Sequence, residues 1–370
     1  MSFLIPMINI KAVDTSAKAY IVIETTTNKI IDGKNINTRL PIASTTKIMT
    51  AICAIENTDD LNKEFVVSDE AVSIEGSSIY LKQGEKISME NLLYGLLLNS
   101  GNDASVAIAM NVSGSIEKFC NLMNETAKKI GAKNTNFTNP SGLYDENHYS
   151  SAYDLAIISS YAMKNELFRQ IVSTKSKKIS NTDGENERYL NNHNKLLNMY
   201  EGVNGIKTGY TKKCGRCLVS SCHKDGVDLI VVTLNAPDDW NDHKRLLDYG
   251  FSKLKHIEIA SDNSYAQSYF YKDKILKLKY ETHLDAIEGE NNNFYIKHEI
   301  KKDIKDVSKN DKIGKAYIYD NGKIVSETNL VISDVSQNEM IKTKDENIVK
   351  KFFKKLFSLY TFWQKLYNNI

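Results

Sequence analysis

The stretch Ser44-Thr45-Thr46-Lys47 decides how this chain is read. It lies in Pro41-Ile-Ala-Ser44-Thr-Thr-Lys47-Ile-Met-Thr50, where a proline-containing approach gives way to an apolar run through Ala51, Ile52, Ala54 and Ile55. That run predicts a helix. Residues three apart on a helix share a face, so Lys47 is expected beside Ser44. A serine hydroxyl is a weak nucleophile until a neighbouring base takes its proton. A lysine serves as that base once burial or a second cation lowers its pKa. Alone, however, Ser-x-x-Lys equally describes a helix N-cap followed by a surface lysine.

Two further motifs follow in order, Ser100-Gly101-Asn102 and Lys207-Thr208-Gly209-Tyr210. Ser100 and Asn102 fall in a turn-rich break between two helical runs, able to face the Ser44 helix across a cleft. A hydroxyl there relays a proton to a leaving amine, and an amide holds a substrate backbone. Lys207 opens a strand-like run, where it supplies a fixed cation for a substrate carboxylate and helps depress the pKa of Lys47. Gly209 lacks a side chain, so a substrate can lie against the strand edge. Backbone N–H groups at Ser44 and near Tyr210 are suited to an oxyanion hole. The expected catalytic residues are thus Ser44, Lys47 and Ser100. Those expected to bind substrate are Asn102, Lys207, Thr208, Gly209 and Tyr210. Each motif is weak singly; three in order, each in a suitable element, are strong.

The 370 residues suffice for two domains, and 41% apolar with 25% charged residues is an ordinary globular balance. A net charge of +2 argues against a general nucleic-acid binder. The five cysteines are too few and too scattered for a disulfide framework. Cys214-Gly-Arg-Cys217 has redox spacing, but it lies between strand-like runs rather than at a helix N-terminus. No second Cys/His pair completes a zinc site, the seven histidines form no ligand pattern, and all of them are read as structural. No metal or cofactor is expected. Residues 1–17 contain the apolar Phe3-Leu-Ile-Pro-Met-Ile8, which lacks a basic n-region. They read either as the remnant of a signal segment or as an ordinary leading segment.

The expected fold class is α+β. Lys18–Glu24 and Lys29–Asp32 predict a hairpin, and Phe65–Val67 and Ser78–Leu81 short strands or extended loop. Helices are expected from an N-cap at Ser88 through Leu97, from Asp103 to about Val112, from Ile116 to Ile130, and from a capping box at Ser151 through Met163. A hairpin beginning at Gly205 and returning through Cys217, a strand 228–234 and a helix from Trp240 to about Leu254 close a first domain, 18–255. Its first and last strands are expected to share one sheet. Residues 256–340 show short alternating runs and an Asn321-Gly322 turn, the pattern of a small all-β domain. In 341–370, and chiefly 347–370, apolar and aromatic residues fall on one helical face and lysines on the other. Charges this frequent exclude a spanning helix, which needs about 20 apolar residues. A basic amphipathic helix of this kind fits a membrane-surface anchor.

The three motifs and their flanks resemble the serine-type D-Ala-D-Ala carboxypeptidases, the low-molecular-weight penicillin-binding proteins of the bacterial cell wall. The likeness covers Leu40-Pro-Ile-Ala-Ser-Thr-Thr-Lys-Ile-Met-Thr50, Gly76-Ser-Ser-Ile-Tyr-Leu81 and Leu96-Leu-Leu-Asn-Ser-Gly-Asn-Asp-Ala104. It continues in Asn139-Pro-Ser-Gly-Leu143, His148-Tyr-Ser-Ser-Ala-Tyr-Asp154 and Val203-Asn-Gly-Ile-Lys-Thr-Gly-Tyr-Thr211. The resemblance implies a transpeptidase/β-lactamase-like catalytic domain, a C-terminal β domain and a terminal membrane anchor. It implies that Ser44 is acylated by the penultimate D-Ala carbonyl of a peptidoglycan stem peptide, that terminal D-Ala leaves, and that water frees the enzyme. It further implies an oxyanion hole at the backbone of Ser44 and Tyr210, acylation of Ser44 by β-lactams, and a place on the outer face of the cytoplasmic membrane.

Two features depart from that pattern. A complete signal peptide is missing, and Asn235–Asp242 lacks the arginine that some relatives carry as a second carboxylate contact, which leaves more of that task to Lys207. A β-lactamase is the nearest rival, but no Glu-x-x-x-Asn run supplies its deacylation base; Asn134–Tyr149 offers only Glu146, with Ser150 at the matching place. A transpeptidase shares the acylation step and differs only in the acceptor. A non-catalytic wall-binding module would have had no use for intact Ser44, Lys47, Ser100 and Lys207.

Overall fold

A computed structural model describes residues 13–180, 187–272, 274–302, 304 and 307–337. The expected terminal helix of 341–370 and most of the leading segment 1–17 lie outside the described residues. Two compact units divide the chain. The first runs to His256 and takes in Ile287–Glu290; the second comprises Ile257–Ala286 and the chain from Asn291 on.

The first unit is built on a five-stranded antiparallel sheet. Its strands are β1 (Ala19–Glu24), β2 (Lys29–Lys34), β3 (Val203–Thr211), β4 (Gly215–Lys224) and β5 (Val227–Leu234), in the order β2-β1-β5-β4-β3. Period-2 alternation explains why β1 is buried along its whole length. Ala19, Ile21 and Ile23 enter the main core, while Tyr20 and Val22 enter a second core behind the sheet. Strand β5 divides the same way, with Ile230, Val232 and Leu234 on the first face and Leu229 and Val231 on the second.

Helix Lys47–Glu56 is buried from Lys47 through Ala54, so it is the central helix of the main core. Around it stand Met89–Leu97, Asn102–Ser113, Ile116–Ile130 and Ala152–Ala162. The caps follow the sequence: Ser88 accepts the Asn91 N–H and Ser151 accepts the Asp154 N–H. Helix Asp239–Ser252 covers the other face of the sheet with Leu246 and Leu247. Its His243 is fully buried between Ser220 Oγ (2.6 Å) and Thr233 Oγ1 (2.9 Å), and burial pushes its pKa down to about 3.

Of the two stretches expected as short strands or extended loop, Glu64–Val66 is a strand paired with Lys86–Ser88, and Ser78–Leu81 is loop, with Tyr80 at φ +59°. Two further elements were not expected. Helix Glu166–Ser173 follows an N-cap at Asn165 and buries Phe168, Ile171 and Val172. The hairpin of Ser176–Ile179 with Arg188–Asn191 buries only Ile179 and Leu190. Its two four-residue strands, Ser-Lys-Lys-Ile and Arg-Tyr-Leu-Asn, are too short and too polar to show an apolar alternation. All five cysteines are free and buried.

The second unit holds another five-stranded antiparallel sheet, in the order Tyr265–Tyr271, Lys274–Tyr280, Lys323–Gln337, Lys312–Asp320, Phe294–Ile300. Leu276, Leu278, Ala316, Ile318, Leu330 and Ile332 fill its core. Asp320 pairs with Lys323, and Asn321 and Gly322 both take positive φ (+48° and +81°), as a two-residue primed turn requires. No helix among the described residues is long and apolar enough to cross a membrane.

Candidate active site

The approach to Ser44 is extended, with the Leu40 and Ser150 backbones exchanging hydrogen bonds of 2.8 and 3.1 Å. The chain then turns sharply. Ala43 takes φ +47°, a conformation that costs an L-residue free energy and persists only where its surroundings fix it. A single tight turn, Ala43–Thr46, feeds directly into the helix at Lys47. This leaves Ser44 half-buried while Thr45, Thr46 and Lys47 are buried.

Lys47 stands beside Ser44 as helical spacing requires. Its Nζ lies 3.1 Å from Ser44 Oγ, 2.7 Å from Asn102 Oδ1 and 2.6 Å from the Ser141 carbonyl oxygen. Two of these partners only accept. The Asn102 amide is oriented by its Nδ2, which donates to the Glu75 carbonyl at 2.7 Å. A neutral lysine has two N–H bonds and one lone pair. With both N–H groups given to Asn102 and Ser141, the lone pair faces the Ser44 hydroxyl. Burial pushes the Lys47 pKa well below its ordinary value, the Lys207 charge pushes the same way, and Asp103 opposes them. A lysine with its pKa lowered in this way, this close to a hydroxyl, is suited to take that hydroxyl's proton.

The neighbouring loops hold those partners in place. The Asp103 carboxylate accepts the N–H groups of Ile79 and Leu81 and the Ser78 hydroxyl, which ties loop 76–81 to the start of helix Asn102–Ser113. Gly76 has φ +92°, and a Cβ there would lie 2.6 Å from Asn102 Nδ2. Loop 139–143 is knotted by Asn139, whose Oδ1 accepts the N–H groups of Ser141, Gly142 and Leu143. That knot presents the Ser141 carbonyl to Lys47. Gly142 has φ +85°, and a Cβ would stand 1.9 Å from the Ala43 carbonyl oxygen. Gly142→Ala is therefore expected to displace either this loop or the Ser44 turn, lowering stability by roughly 2 kcal/mol or more through strain and overlap. Thermal melts and acylation rates should fall together; an unchanged variant would contradict the packing.

His148 is 3% exposed behind the same turn. Its Nε2 lies 2.8 Å from Thr46 Oγ1, and its Nδ1 lies 3.1 Å from the Thr138 N–H donor. Burial brings its pKa down to about 4.

Lys207 is 1% exposed on β3, the edge strand of the sheet. Its Nζ donates to the Thr208 carbonyl at 3.0 Å, and burial lowers its pKa to about 7. Gly209 lies against the Ser44 turn rather than at an open edge: a Cβ would be 3.0 Å from the Ser44 nitrogen. The missing side chain thus lets β3 and the Ser44 turn approach each other. Thr208 is half-buried and Tyr210 is 65% exposed. Ser100 is 5% exposed with φ +60°, and its hydroxyl has no hydrogen-bond partner among the described residues.

The structure thus joins Ser44, Lys47 and Asn102 by direct hydrogen bonds and brings Gly209 against the same turn. It adds Asp103, Asn139, Ser141 and His148, which motif spacing did not single out. The turn signal of Asn139-Pro140-Ser141-Gly142 was visible, but nothing in a sequence shows which carbonyl a distant amine will meet.

The profile of the D-alanyl-D-alanine carboxypeptidase family matches residues 7–238. The D-alanyl-D-alanine carboxypeptidase DacF of Bacillus subtilis is 40% identical over 247 residues, 65% of this chain and 63% of that protein. This chain therefore spans less than two thirds of that relative's length. Penicillin binding protein 5 from Haemophilus influenzae has a similar structure, with a TM-score of 0.64 at 27% identity over 88% of this chain and 98% of that one. The Streptomyces K15 DD-transpeptidase matches with a TM-score of 0.63 at 30% identity, covering 66% of this chain and all of its own, 100%.

Proposed function

The chain belongs to the D-alanyl-D-alanine carboxypeptidase family, and on that premise we propose that it removes the terminal D-Ala from peptidoglycan stem peptides through an acyl-enzyme on Ser44. The observation that carries this reading is the buried Lys47 amine, its pKa lowered by burial and by the Lys207 charge, 3.1 Å from Ser44 Oγ. Lys47 takes the hydroxyl proton as Ser44 Oγ attacks the penultimate D-Ala carbonyl. The oxyanion is received by the N–H groups of Ser44 and Tyr210. As the tetrahedral species collapses, the C–N bond breaks and the leaving amine takes a proton through Lys47 or the Ser100 hydroxyl. Water then attacks the ester, its proton going to the same base, and Ser44 is released. β-Lactams, which offer an equivalent carbonyl, acylate Ser44 and stop there.

Asn102 holds the substrate backbone, and Lys207 with Thr208 receives the terminal carboxylate. Lys207→Ala is expected to lower kcat/KM for a peptide with a free C-terminus by about 10–100-fold, the worth of one charge-assisted hydrogen bond. Steady-state assays would check this; full retained activity would remove Lys207 from the role. We place the enzyme's work outside the cytoplasmic membrane, where its polymer substrate lies, with residues 347–370 as a basic amphipathic anchor on the membrane surface.

The likeness to a DD-transpeptidase supports a second reading, because the acyl-enzyme is common to both and only the acceptor differs. Incubation with a stem pentapeptide, measuring released D-Ala against crosslinked product, tests between them. The carboxypeptidase reading expects free tetrapeptide; a majority of crosslinked product would overturn it in favour of transpeptidation.

A further inference from the structure

Ala43 is held at φ +47° immediately before the nucleophile, and its carbonyl oxygen accepts the Thr46 hydroxyl proton at 2.8 Å. The Ala43–Ser44 peptide is trans, so its C=O and N–H point to opposite sides. Whatever fixes the direction of the Ala43 carbonyl therefore fixes the direction of the Ser44 N–H. That N–H has no hydrogen-bond partner among the described residues.

A hydroxyl has one proton to give. Thr46 Oγ1 gives its proton to Ala43, so toward His148 Nε2, 2.8 Å away, it acts as acceptor. Nε2 must then carry a hydrogen. The other ring nitrogen agrees: Nδ1 accepts the Thr138 N–H at 3.1 Å, with Thr138 Oγ1 at 3.3 Å and Asn139 Nδ2 at 3.4 Å also turned to it. Only the neutral Nε2–H tautomer satisfies both ends. The Phe137 ring meets the imidazole edge-on, at 5.7 Å and 70°, and fixes its plane.

We propose that His148 is a positioning residue for acylation. Its Nε2–H locks the Thr46 hydroxyl so that the Thr46 proton stays on the Ala43 carbonyl, and the Ser44 N–H stays aimed at the developing oxyanion. The bland alternative is that His148 only pins loop 138–149 through Nδ1. This inference rests on Ser44 being the nucleophile of the proposed reaction.

Two substitutions separate the ends of the ring. His148→Gln places an amide N–H about where Nε2–H lies and gives up the contact to Thr138. His148→Asn keeps an acceptor about where Nδ1 lies and gives up the contact to Thr46. Second-order acylation by a fluorescent penicillin, and inhibition by a D-alanine-like boronic acid that forms a tetrahedral adduct on serine, are the readouts. His148→Asn is expected to lose about 10–100-fold in both, the usual effect of an outer-shell orienting partner, while His148→Gln stays within about threefold of wild type. Thr46→Val is expected to lose as much as His148→Asn, Thr46→Ser to recover most of it, and the Thr46→Val/His148→Asn double variant to lose no more than either alone. The two Thr46 variants carry the test if a His148 variant does not fold. Impairment of Gln with Asn intact, equal impairment of both, or multiplicative losses in the double variant would each overturn the positioning role. Absence of any adduct on Ser44 in the wild-type protein would overturn the underlying reaction as well.

Discussion

Ser44→Ala is expected to abolish both covalent labelling by penicillin and release of D-Ala, a loss of roughly 10⁴-fold or more in turnover. No other group replaces the lost oxygen, because a water bound beside Lys47 would have to attack without ever forming the ester. The change removes a single atom from a half-buried side chain whose hydrogen bond is to Lys47. The fold should therefore survive, with melting close to wild type and a retained, non-covalent affinity for the peptide. A Ser44→Ala protein that still labelled stoichiometrically would place the nucleophile elsewhere.

Lys47→Ala is expected to cost nearly as much, about 10³-fold or more in acylation, because the base and the hydroxyl act as one unit. The pH profile carries the finer test. Lys47 must be neutral to take a proton, so activity falls on the acid side as the amine protonates. Because burial and the Lys207 charge lower its pKa, that limb lies well below the ordinary lysine range. Lys207 must be charged to hold a carboxylate. Its pKa of about 7 in the empty site sets the basic limb of kcat/KM near neutrality. A bound carboxylate favours the cation, so kcat should persist to higher pH than kcat/KM. Arginine stays protonated throughout, hence Lys207→Arg should erase the basic limb while leaving the acid limb in place. Lys47→Arg, permanently charged, should be as inactive as Lys47→Ala. A basic limb unmoved in Lys207→Arg, or an acid limb surviving with residual Lys47→Ala activity, would contradict this assignment.

Much of the first unit was legible because its signals are local. Helical spacing placed Lys47 under Ser44, Ser88 and Ser151 announced their helices, and the alternation of Tyr20 and Val22 with Ile21 and Ile23 is the two-faced burial of β1. The pairing of the first strand with the last of its domain followed from topology rules rather than from any residue, and β1 does pair with β5. What stayed hidden depends on contacts between distant segments. The Ser141 carbonyl meets Lys47 across 94 positions, and a backbone oxygen leaves no trace in a side-chain pattern. His148 looked like one of seven scattered histidines, because its two ring contacts, to Thr46 and Thr138, involve a hydroxyl and a main-chain amide that any sequence supplies. Gly209 was legible as a position without room for a side chain, but the body filling that room proved to be the Ser44 turn. Helix Glu166–Ser173 is two turns long, too short for its period to stand out, although the Asn165 cap was there to be read.

The central claim is a covalent bond at one oxygen, and intact-protein mass spectrometry after brief exposure to a penicillin tests it most directly. One equivalent should add the mass of the intact antibiotic, peptide mapping should place it on Ser44, and hydroxylamine should remove it as it does an ester. An adduct on another residue, or none at saturating antibiotic in a folded protein, would contradict the account.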